Sequence, residues 1–203
     1  MTFFEKLALF NINNFKFGVL ANSKISCIIN QLKSNFAKKD IILMMKTTCF
    51  DKQESKNKVI FRHFKESLDE ELRCTIQNSV FYDKNRIPLI TEDIFSEENE
   101  DYYINNFGVF ICESNGQAIG YGQIILSDGF YTIVNLGILA DYRQQGYGEL
   151  LVKYLVEFCH NNSIKDIYIR VEKKNTKALS LYKKIGFNEY EPIVTMHKNI
   201  DSL

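Results

Sequence analysis

The most informative segment of this sequence is Arg143-Gln144-Gln145-Gly146-Tyr147-Gly148. It follows a run rich in β-branched and aromatic residues, 130–139, which predicts a strand, and it opens an amphipathic run, 146–159, which predicts a helix. Glycines at a strand-to-helix turn let the backbone approach a ligand closely and direct N–H groups outward. The positive end of the helix dipole favours an anion, above all a phosphate, and Arg143 adds a permanent cation. The segment therefore predicts a diphosphate-binding turn.

Two common diphosphate-binding motifs do not fit this turn. A nucleotide P-loop requires Lys followed by Ser or Thr after its last glycine, whereas Gly148 is followed by Glu149 and Leu150. A Rossmann fingerprint requires a third glycine, which is absent at the required spacing. A nucleotide-phosphate binder is therefore disfavoured, and a glycine turn without a ligand is the plain alternative.

Three segments together resemble the GCN5-related N-acetyltransferase (GNAT) family. The spacing Arg-x-x-Gly-x-Gly of residues 143–148 is similar to the family's turn. Residues 175–187 resemble its Asn-x-x-Ala-x-x-Leu-Tyr-x-x-x-Gly-Phe signature, and residues 118–122 resemble its second-strand pattern. The resemblance covers roughly residues 58–200. One such motif is weak evidence, but two signatures in the right order, separated by a helix and a strand, are strong evidence.

The resemblance implies a GNAT-like acyl-CoA-binding α/β fold, with a mixed, mostly antiparallel central sheet flanked by helices. It implies acetyl-CoA as the acyl-donor cosubstrate and no metal. The backbone at the end of the strand would pair with the pantetheine arm, amides of residues 144–149 would hold the pyrophosphate, and Asn175 would bond the coenzyme near its reacting end. The implied coenzyme-binding residues are Ile138, Leu139, Arg143, Gln144, Gln145, Gly146, Tyr147, Gly148, Glu149 and Asn175.

The same resemblance implies that Tyr182 is catalytic and stands near the coenzyme thiol. A phenol, with an ordinary pKa of about 10, is suited to protonating the leaving thiolate. The alternative is that Tyr182 only packs on the sheet. The sequence departs from the family at Asn135, where several members carry a Glu that acts, often through water, as general base. Because Asn cannot take up a proton at neutral pH, no general base is assigned.

These residues predict an acyl-CoA-dependent N-acyltransferase, an acetyltransferase in the first instance, with direct attack by a primary amine in a ternary complex. The alternative is a non-catalytic module that binds or senses acyl-CoA; Asn135 favours this alternative and Tyr182 favours the enzyme. The acceptor is left open among amino acids, polyamines, aminoglycosides, peptide N-termini and lysine side chains. The acidic run at residues 97–101 is interpreted as a solvated face, with attraction of a cationic amine as the alternative.

Hydrophobic periodicity predicts the remaining elements. Residues 59–64 predict a strand, 68–81 a helix, 108–126 a hairpin around Asn115-Gly116, and 167–171 another strand. Residues 176–185 predict a helix closed by Gly186, and residues 193–196 belong to a last strand. Residues 58–200 thus follow the order β-α-(α)-β-β-β-α-β-α-β.

Residues 1–57 are predicted to form an N-terminal α/β extension that precedes a GNAT-like N-acetyltransferase domain at residues 58–203. The polar stretch at residues 50–58 is the candidate break. Residues 3–10 match a helix, residues 15–20 match a strand, and residues 41–46 parallel residues 193–198. Two interpretations stay open: a degenerate partial copy of the same fold, or a private extension that caps the sheet.

Composition excludes several other classes of protein. Across 203 residues, 25 basic and 25 acidic side chains leave no net charge, so no overall field favours nucleic acid or an anionic membrane. Five scattered cysteines, without a CxxC pair or a Cys/His cluster, predict reduced, packed thiols and no zinc site. The longest aliphatic stretch is too short to span a bilayer and the start does not resemble a signal peptide, so we expect a cytoplasmic protein. A homodimer is left open.

Overall fold

The computed structural model of the chain describes residues 16–20, 38–48, 59–84 and 86–197. A short 3-10 turn, Ala140–Tyr142, precedes the glycine turn. From residue 59 onward, the order of elements is the one that the periodicity predicts. In chain order the elements are β1 (Lys16–Leu20), β2 (Lys38–Thr47), β3 (Val59–His63), α1 (Glu70–Val80), α2 (Thr91–Glu98), β4 (Gly108–Glu113), β5 (Ala118–Ser127), β6 (Phe130–Ile138), α3 (Tyr147–Asn161), β7 (Ile167–Glu172), α4 (Thr176–Ile185) and β8 (Asn188–His197).

The eight strands of the described ranges form one sheet, in the order β1-β8-β2-β7-β6-β5-β4-β3. Neighbouring strands are antiparallel except for β6 and β7, which are parallel. The connection from β6 to β7 runs through α3, as a parallel pair requires. The predicted mixed, mostly antiparallel sheet flanked by helices is confirmed.

Different helices cover the two faces of the sheet. On one face α3 and α4 enclose a core that includes Leu155 and Tyr182. On the other, the α1–α2 face, Ile94 belongs to a second core. Strand β5 contributes to both cores because successive side chains of a strand point to opposite faces, so Tyr121 lies in the second core and Ile124 in the first.

Local sequence signals set the ends of several elements, and two of these, the turn at Asn115-Gly116 and the end of α4 at Gly186, were predicted. The hairpin between β4 and β5 turns at Gly116, whose φ is +89°, a left-handed conformation that glycine adopts without strain. Helix α4 begins after Asn175, whose side chain accepts a hydrogen bond from the N–H of Ala178 over 3.2 Å. It ends at Gly186, with φ of +103°.

Strand β2 lies inside the sheet, between β7 and β8, and is antiparallel to both. Met44 and Met45 of β2 are 2% and 0% exposed, so the strand belongs to the packed interior. Strand β1 pairs with the other side of β8. Both strands precede the break predicted at residues 50–58, and one sheet therefore includes strands from either side of it. The division into two domains and the partial-copy interpretation stay predictions, and the helix expected at residues 3–10 lies outside the described residues.

Three cysteines of the described ranges, Cys74, Cys112 and Cys159, are free and buried. Burial raises the pKa of the Cys159 thiol to about 12, which keeps it protonated and unreactive. The expectation of packed thiols is confirmed for these three residues. None of the helices described is both long and apolar enough to cross a membrane.

Candidate active site

Strands β6 and β7 pair at their beginnings and separate afterwards. The paired residues are Tyr131 with Ile167, Thr132 with Tyr168, and Ile133 with Ile169. Beyond Ile133, β6 runs on to Ile138 and β7 to Glu172 without pairing to each other. We call this opening the β6–β7 gap. Backbone groups along its edges are available to an extended ligand, because no strand of the described residues fills it.

A bulge in β6 accounts for the separation. The pairing register between β5 and β6 shifts between Tyr121 and Gln123. Within the shifted part, Asn135 has φ of +54°, a left-handed conformation that Asn tolerates better than most residues. A bulge bends its strand and increases the local twist. The rest of β6 therefore departs from the direction of β7.

The predicted diphosphate turn stands at the far end of β6. Gln144 and Gly146 have φ of +61° and +87°, and Gly146 is the N-cap of α3. No backbone acceptor among the described residues receives the N–H groups of Tyr147, Gly148 and Glu149, as expected for the first turn of a helix. A Cβ built on Gly146 would meet no atom within 4 Å, so the space beside it is open. Free donors at a helix N-terminus beside open space fit an anion.

Arg143 makes contacts that its predicted role does not include. Its Nε donates to the carbonyl oxygen of Ile138 over 2.8 Å, and its Nη2 donates to the carbonyl oxygen of Val80 over 3.0 Å. Leu139, which follows Ile138, donates its N–H to the carbonyl of Ile119 over 2.9 Å. The carbonyl of Ile138 and the N–H of Leu139 therefore already have partners within the chain. The remaining groups of these residues stay candidates for the pantetheine arm.

The end of β6, the start of α3 and one face of α4 converge at Gly148. A Cβ on Gly148 would lie 3.8 Å from Cγ1 of Ile138 and 3.9 Å from Cδ2 of Leu181. Nearby, the carboxylate of Glu149 accepts from Lys153 over 2.8 Å and from Lys184 of α4 over 2.6 Å. The two ammonium groups hold the pKa of Glu149 below its usual range. The predicted coenzyme-binding segments thus lie together at one end of the gap.

Asn175 and Tyr182 belong to the other predicted segment, residues 175–187, in which Asn175 precedes α4 and Tyr182 lies within it. The Asn175 side chain is exposed, and its oxygen caps α4, which leaves the amide nitrogen for a ligand. Tyr182 is 8% exposed, with its ring centroid 6.0 Å from that of Phe187. Burial raises the pKa of Tyr182 to about 12, so the phenol is a protonated donor at neutral pH. Its hydroxyl has no hydrogen-bond partner among the described residues.

A polar cluster that sequence reasoning missed lies on the α1–α2 face. Arg73 of α1 is 0% exposed and forms an ion pair with Glu97 of α2. Glu97 also accepts from Nε2 of Gln123 over 3.2 Å, and Gln123 accepts from Nδ2 of Asn135 over 3.3 Å. The Arg73 guanidinium lies 5.2 Å from the ring centroid of Tyr121, a cation–π contact that compensates part of its burial.

The interpretation of the acidic run as a solvated face is wrong for Glu97, whereas residues 99–101 are exposed. Its side chain is 19% exposed and is bonded to two interior groups. Next to it, burial and the nearby Glu70 and Glu66 raise the pKa of Glu98. The signal in the sequence was the polar residue inside an apolar strand, since Gln123 stands among the inward residues of β5. A buried Gln requires partners, and partners on a helix cannot be read from the strand.

Among the described residues, no group of three His, Cys, Asp or Glu side chains is arranged to hold a metal ion. The free N–H groups at the start of α3 suit phosphate, and the edges of the β6–β7 gap suit an amide-bearing chain. The placement of Tyr182 near the coenzyme thiol stays a prediction.

Comparison with protein families finds a match to one family model. The sequence model described as the acetyltransferase (GNAT) family matches residues 68–187, from two residues before α1 to two residues after α4. This range contains the glycine turn, Asn175 and Tyr182.

Individual relatives are similar over part of their length. The chain is 27% identical over 101 residues to the [ribosomal protein bS18]-alanine N-acetyltransferase of Escherichia coli strain K12. That match covers 49% of this chain and 64% of the relative, so the chain spans less than two thirds of that protein.

Solved structures share the fold. A GCN5-related N-acetyltransferase from Sphaerobacter thermophilus superposes with a TM-score of 0.72 at 16% identity, over 91% of this chain and 60% of that one. The ribosomal-protein-S18-alanine N-acetyltransferase from Escherichia coli superposes with a TM-score of 0.53 at 17% identity, over 72% of this chain and 99% of that one. At these identities the likeness concerns the fold alone.

Proposed function

The chain belongs to the acetyltransferase (GNAT) family, and we therefore propose that it transfers an acyl group, acetyl in the first instance, from acyl-CoA to a primary amine. The observation that carries this proposal is the β6–β7 gap, with a helix N-terminus at its end and free N–H groups facing open space. The pantetheine arm would lie in the gap as an added strand, and the pyrophosphate would lie on the turn from Gln144 to Glu149.

The reaction requires one bond to form and one to break. The amine nitrogen attacks the thioester carbonyl carbon in a ternary complex, the C–N bond forms, and the C–S bond breaks. The departing thiolate takes a proton, and the amine nitrogen releases one to solvent. Tyr182 is the proposed proton donor to the thiolate, because its phenol is protonated at neutral pH and its hydroxyl has no other partner among the described residues. Solvent would return the proton to the phenol.

The acceptor amine is proposed to be a peptide N-terminus in the first instance. The relative from Escherichia coli is named for acetylating an alanine of a ribosomal protein. No side chain of this chain is assigned to deprotonate the amine, since Asn135 has no basic group. Amino acids, polyamines and aminoglycosides are the next acceptors to test.

Free coenzyme A released from acetyl-CoA is the measurement that tests the proposal. We expect release to depend on an amine acceptor, with peptides bearing a free N-terminus compared against the same peptides with a blocked N-terminus. Mass spectrometry of the acceptor would locate the acetyl group. If the protein bound acetyl-CoA but transferred no acetyl group to any amine of the panel, the proposed enzymatic activity would be wrong.

The second candidate function is a non-catalytic module that binds or senses acyl-CoA. The observation that favours it is Asn135 in the bulge, where an acidic side chain would be needed as a base. Under this alternative, acetyl-CoA binds through the same turn, no acceptor is modified, and Tyr182→Phe changes nothing. The coenzyme-release assay separates the two functions.

A further inference from the structure

A chain of hydrogen bonds connects α1 to the bulge of β6. Nη2 of Arg73 donates to Oε2 of Glu97, and Nε2 of Gln123 donates to Oε1 of the same carboxylate over 3.2 Å. Nδ2 of Asn135 then donates to Oε1 of Gln123 over 3.3 Å. The four residues come from four different elements, so this series of hydrogen bonds forms only in the folded protein.

The direction of every bond in this chain is determined by its charged end. A carboxylate only accepts hydrogen bonds, so Gln123 must present its NH₂ group to Glu97. The carbonyl oxygen of Gln123 therefore points the other way, where it accepts from Asn135 and, over 3.4 Å, from the hydroxyl of Tyr121. Asn135 in turn must present its NH₂ group inward. Oδ1, the carbonyl oxygen of Asn135, therefore points away from this series of hydrogen bonds.

Burial makes this direction costly to reverse. Arg73 and Gln123 are both 0% exposed, so the guanidinium and the amide are shielded from water. In such surroundings hydrogen bonds are stronger than in water, and an unmatched pair of acceptors is penalised more. If Gln123 were flipped, its oxygen would face the Glu97 carboxylate. The orientation of the Asn135 amide therefore follows from an ion pair two residues away along the chain of hydrogen bonds.

Asn135 lies at the opening of the site. It stands two residues after Ile133, the last residue of β6 that pairs with β7. Its side chain is partly exposed, unlike that of Gln123. No hydrogen-bond partner of Oδ1 occurs among the described residues. An oriented acceptor thus lies where the β6–β7 gap begins.

We propose that Asn135 Oδ1 is a hydrogen-bond acceptor for the attacking amine, oriented by Arg73, Glu97 and Gln123 as positioning residues. This inference rests on the proposed function. By accepting one N–H of the amine, Oδ1 directs the nitrogen lone pair toward the thioester carbonyl without taking up a proton. A neutral primary amine keeps an N–H for Oδ1 while its lone pair attacks.

The test is a pair of substitutions that together reverse the donor–acceptor directions of these hydrogen bonds. In Asn135→Asp, a carboxylate faces the Gln123 oxygen, and Gln123 cannot flip without opposing Glu97. In Glu97→Gln, the new amide accepts from Arg73 and donates to Gln123; Gln123 and Asn135 then flip, and Asn135 presents NH₂ to the amine. In the double variant, Gln123 donates to the carboxylate introduced at position 135, and an oxygen of that carboxylate again faces the gap.

We expect each single variant to lose about tenfold or more in kcat/KM for the amine, equivalent to about 1.4 kcal/mol per tenfold. The double variant should recover to within about threefold of the wild type. Affinity for acetyl-CoA should be the same in all four proteins. Asn135→Gly, which suits a positive φ and removes the acceptor, should resemble the single variants. Glu92→Gln, on the exposed side of α2, should match the wild type.

A double variant whose loss is the product of the two single losses would overturn the inference, because independent structural damage adds in free energy. Parallel losses of melting temperature and acetyl-CoA affinity would also overturn it. These failures differ from failure of the proposed function, in which the wild type itself transfers no acyl group to any amine.

Discussion

The guanidinium of Arg143 donates from Nε to the carbonyl oxygen of Ile138 over 2.8 Å. The same group reaches the carbonyl of Val80 at the end of α1 over 3.0 Å. One side chain therefore ties the glycine turn to the end of β6 and to the helix that covers it. The planar fork of a guanidinium reaches two acceptors at once, whereas an ammonium is a single point of charge.

Arg143→Lys and Arg143→Gln should lower acetyl-CoA affinity by similar amounts, on the order of tenfold, equivalent to about 1.4 kcal/mol. The reason is that neither replacement can hold both carbonyls. Calorimetric titration with acetyl-CoA at low and high salt provides the measurement. Full affinity in the Lys variant only would mean that the charge on the phosphates matters and the two carbonyl contacts do not.

Gly146→Val should abolish measurable acetyl-CoA binding, because its branched side chain would occupy the open space beside the free N–H groups. The matched control is Gly116→Val, at the β4–β5 turn. Both glycines have positive φ, +87° and +89°, and open surroundings, so the backbone strain is alike. Equal coenzyme affinity in the two variants, both folded by circular dichroism, would refute the phosphate site.

Gly137→Ala should destabilise the protein by about 1–3 kcal/mol. A Cβ at this position would lie 2.0 Å from Cγ1 of Val80, so α1 must move off β6. Val80→Ala removes that methyl group, and the double variant should be more stable than Gly137→Ala alone. Urea denaturation measures all three. If the effects of Gly137→Ala and Val80→Ala simply add, the close approach of α1 to β6 is not what requires the glycine.

Tyr182→Phe should leave acetyl-CoA affinity nearly unchanged and lower kcat by about a hundredfold to ten-thousandfold. The substitution keeps the buried ring and removes only the hydroxyl, so the loss reports proton donation. Steady-state kinetics on the best amine is the measurement. Turnover within about threefold of the wild type, far short of that range, would assign Tyr182 to packing.

The raised pKa of Tyr182 also predicts a pH dependence of stability. Its folded pKa of about 12 exceeds the value of about 10 for an unfolded chain. The contribution to stability is therefore complete below about pH 10 and is lost as the pH rises toward 12. Tyr182→Phe should lack this part of the alkaline decline in denaturation midpoint, and an identical decline in both proteins would assign it to other groups.

Met45→Ala should cost about 2–5 kcal/mol, the usual cost of truncating a buried Met. Met45 is 0% exposed in β2, between β7 and β8. Lys165→Ala, at an exposed position before β7, is the control and should be near neutral.

A chain that begins at residue 58 should be insoluble, because β7 and β8 lose their common neighbour. Soluble, equally stable protein from that shorter chain would show β2 to be dispensable.

From the sequence alone came the elements with a local cause. The signals at Asn115-Gly116 and Gly186 gave the β4–β5 turn and the end of α4, and periodicity gave the order of strands and helices after residue 59. The glycine turn and the signature at residues 175–187 together predicted the family, which the match at residues 68–187 confirmed. The assignments of Asn175 and Tyr182 to coenzyme and catalysis stay predictions, because no ligand distance follows from a motif.

Only the tertiary structure determined which distant residues meet. That β2 would lie between β7 and β8 depends on pairing across more than a hundred residues, which no local pattern specifies. The Arg143 contacts with Ile138 and Val80 require α1 to pack over β6. The hydrogen bonds that link Arg73 to Asn135 join four elements, and each residue alone is an ordinary polar residue. Hydrogen bonds between separate elements form only once the chain has packed, so sequence periodicity carries no trace of them.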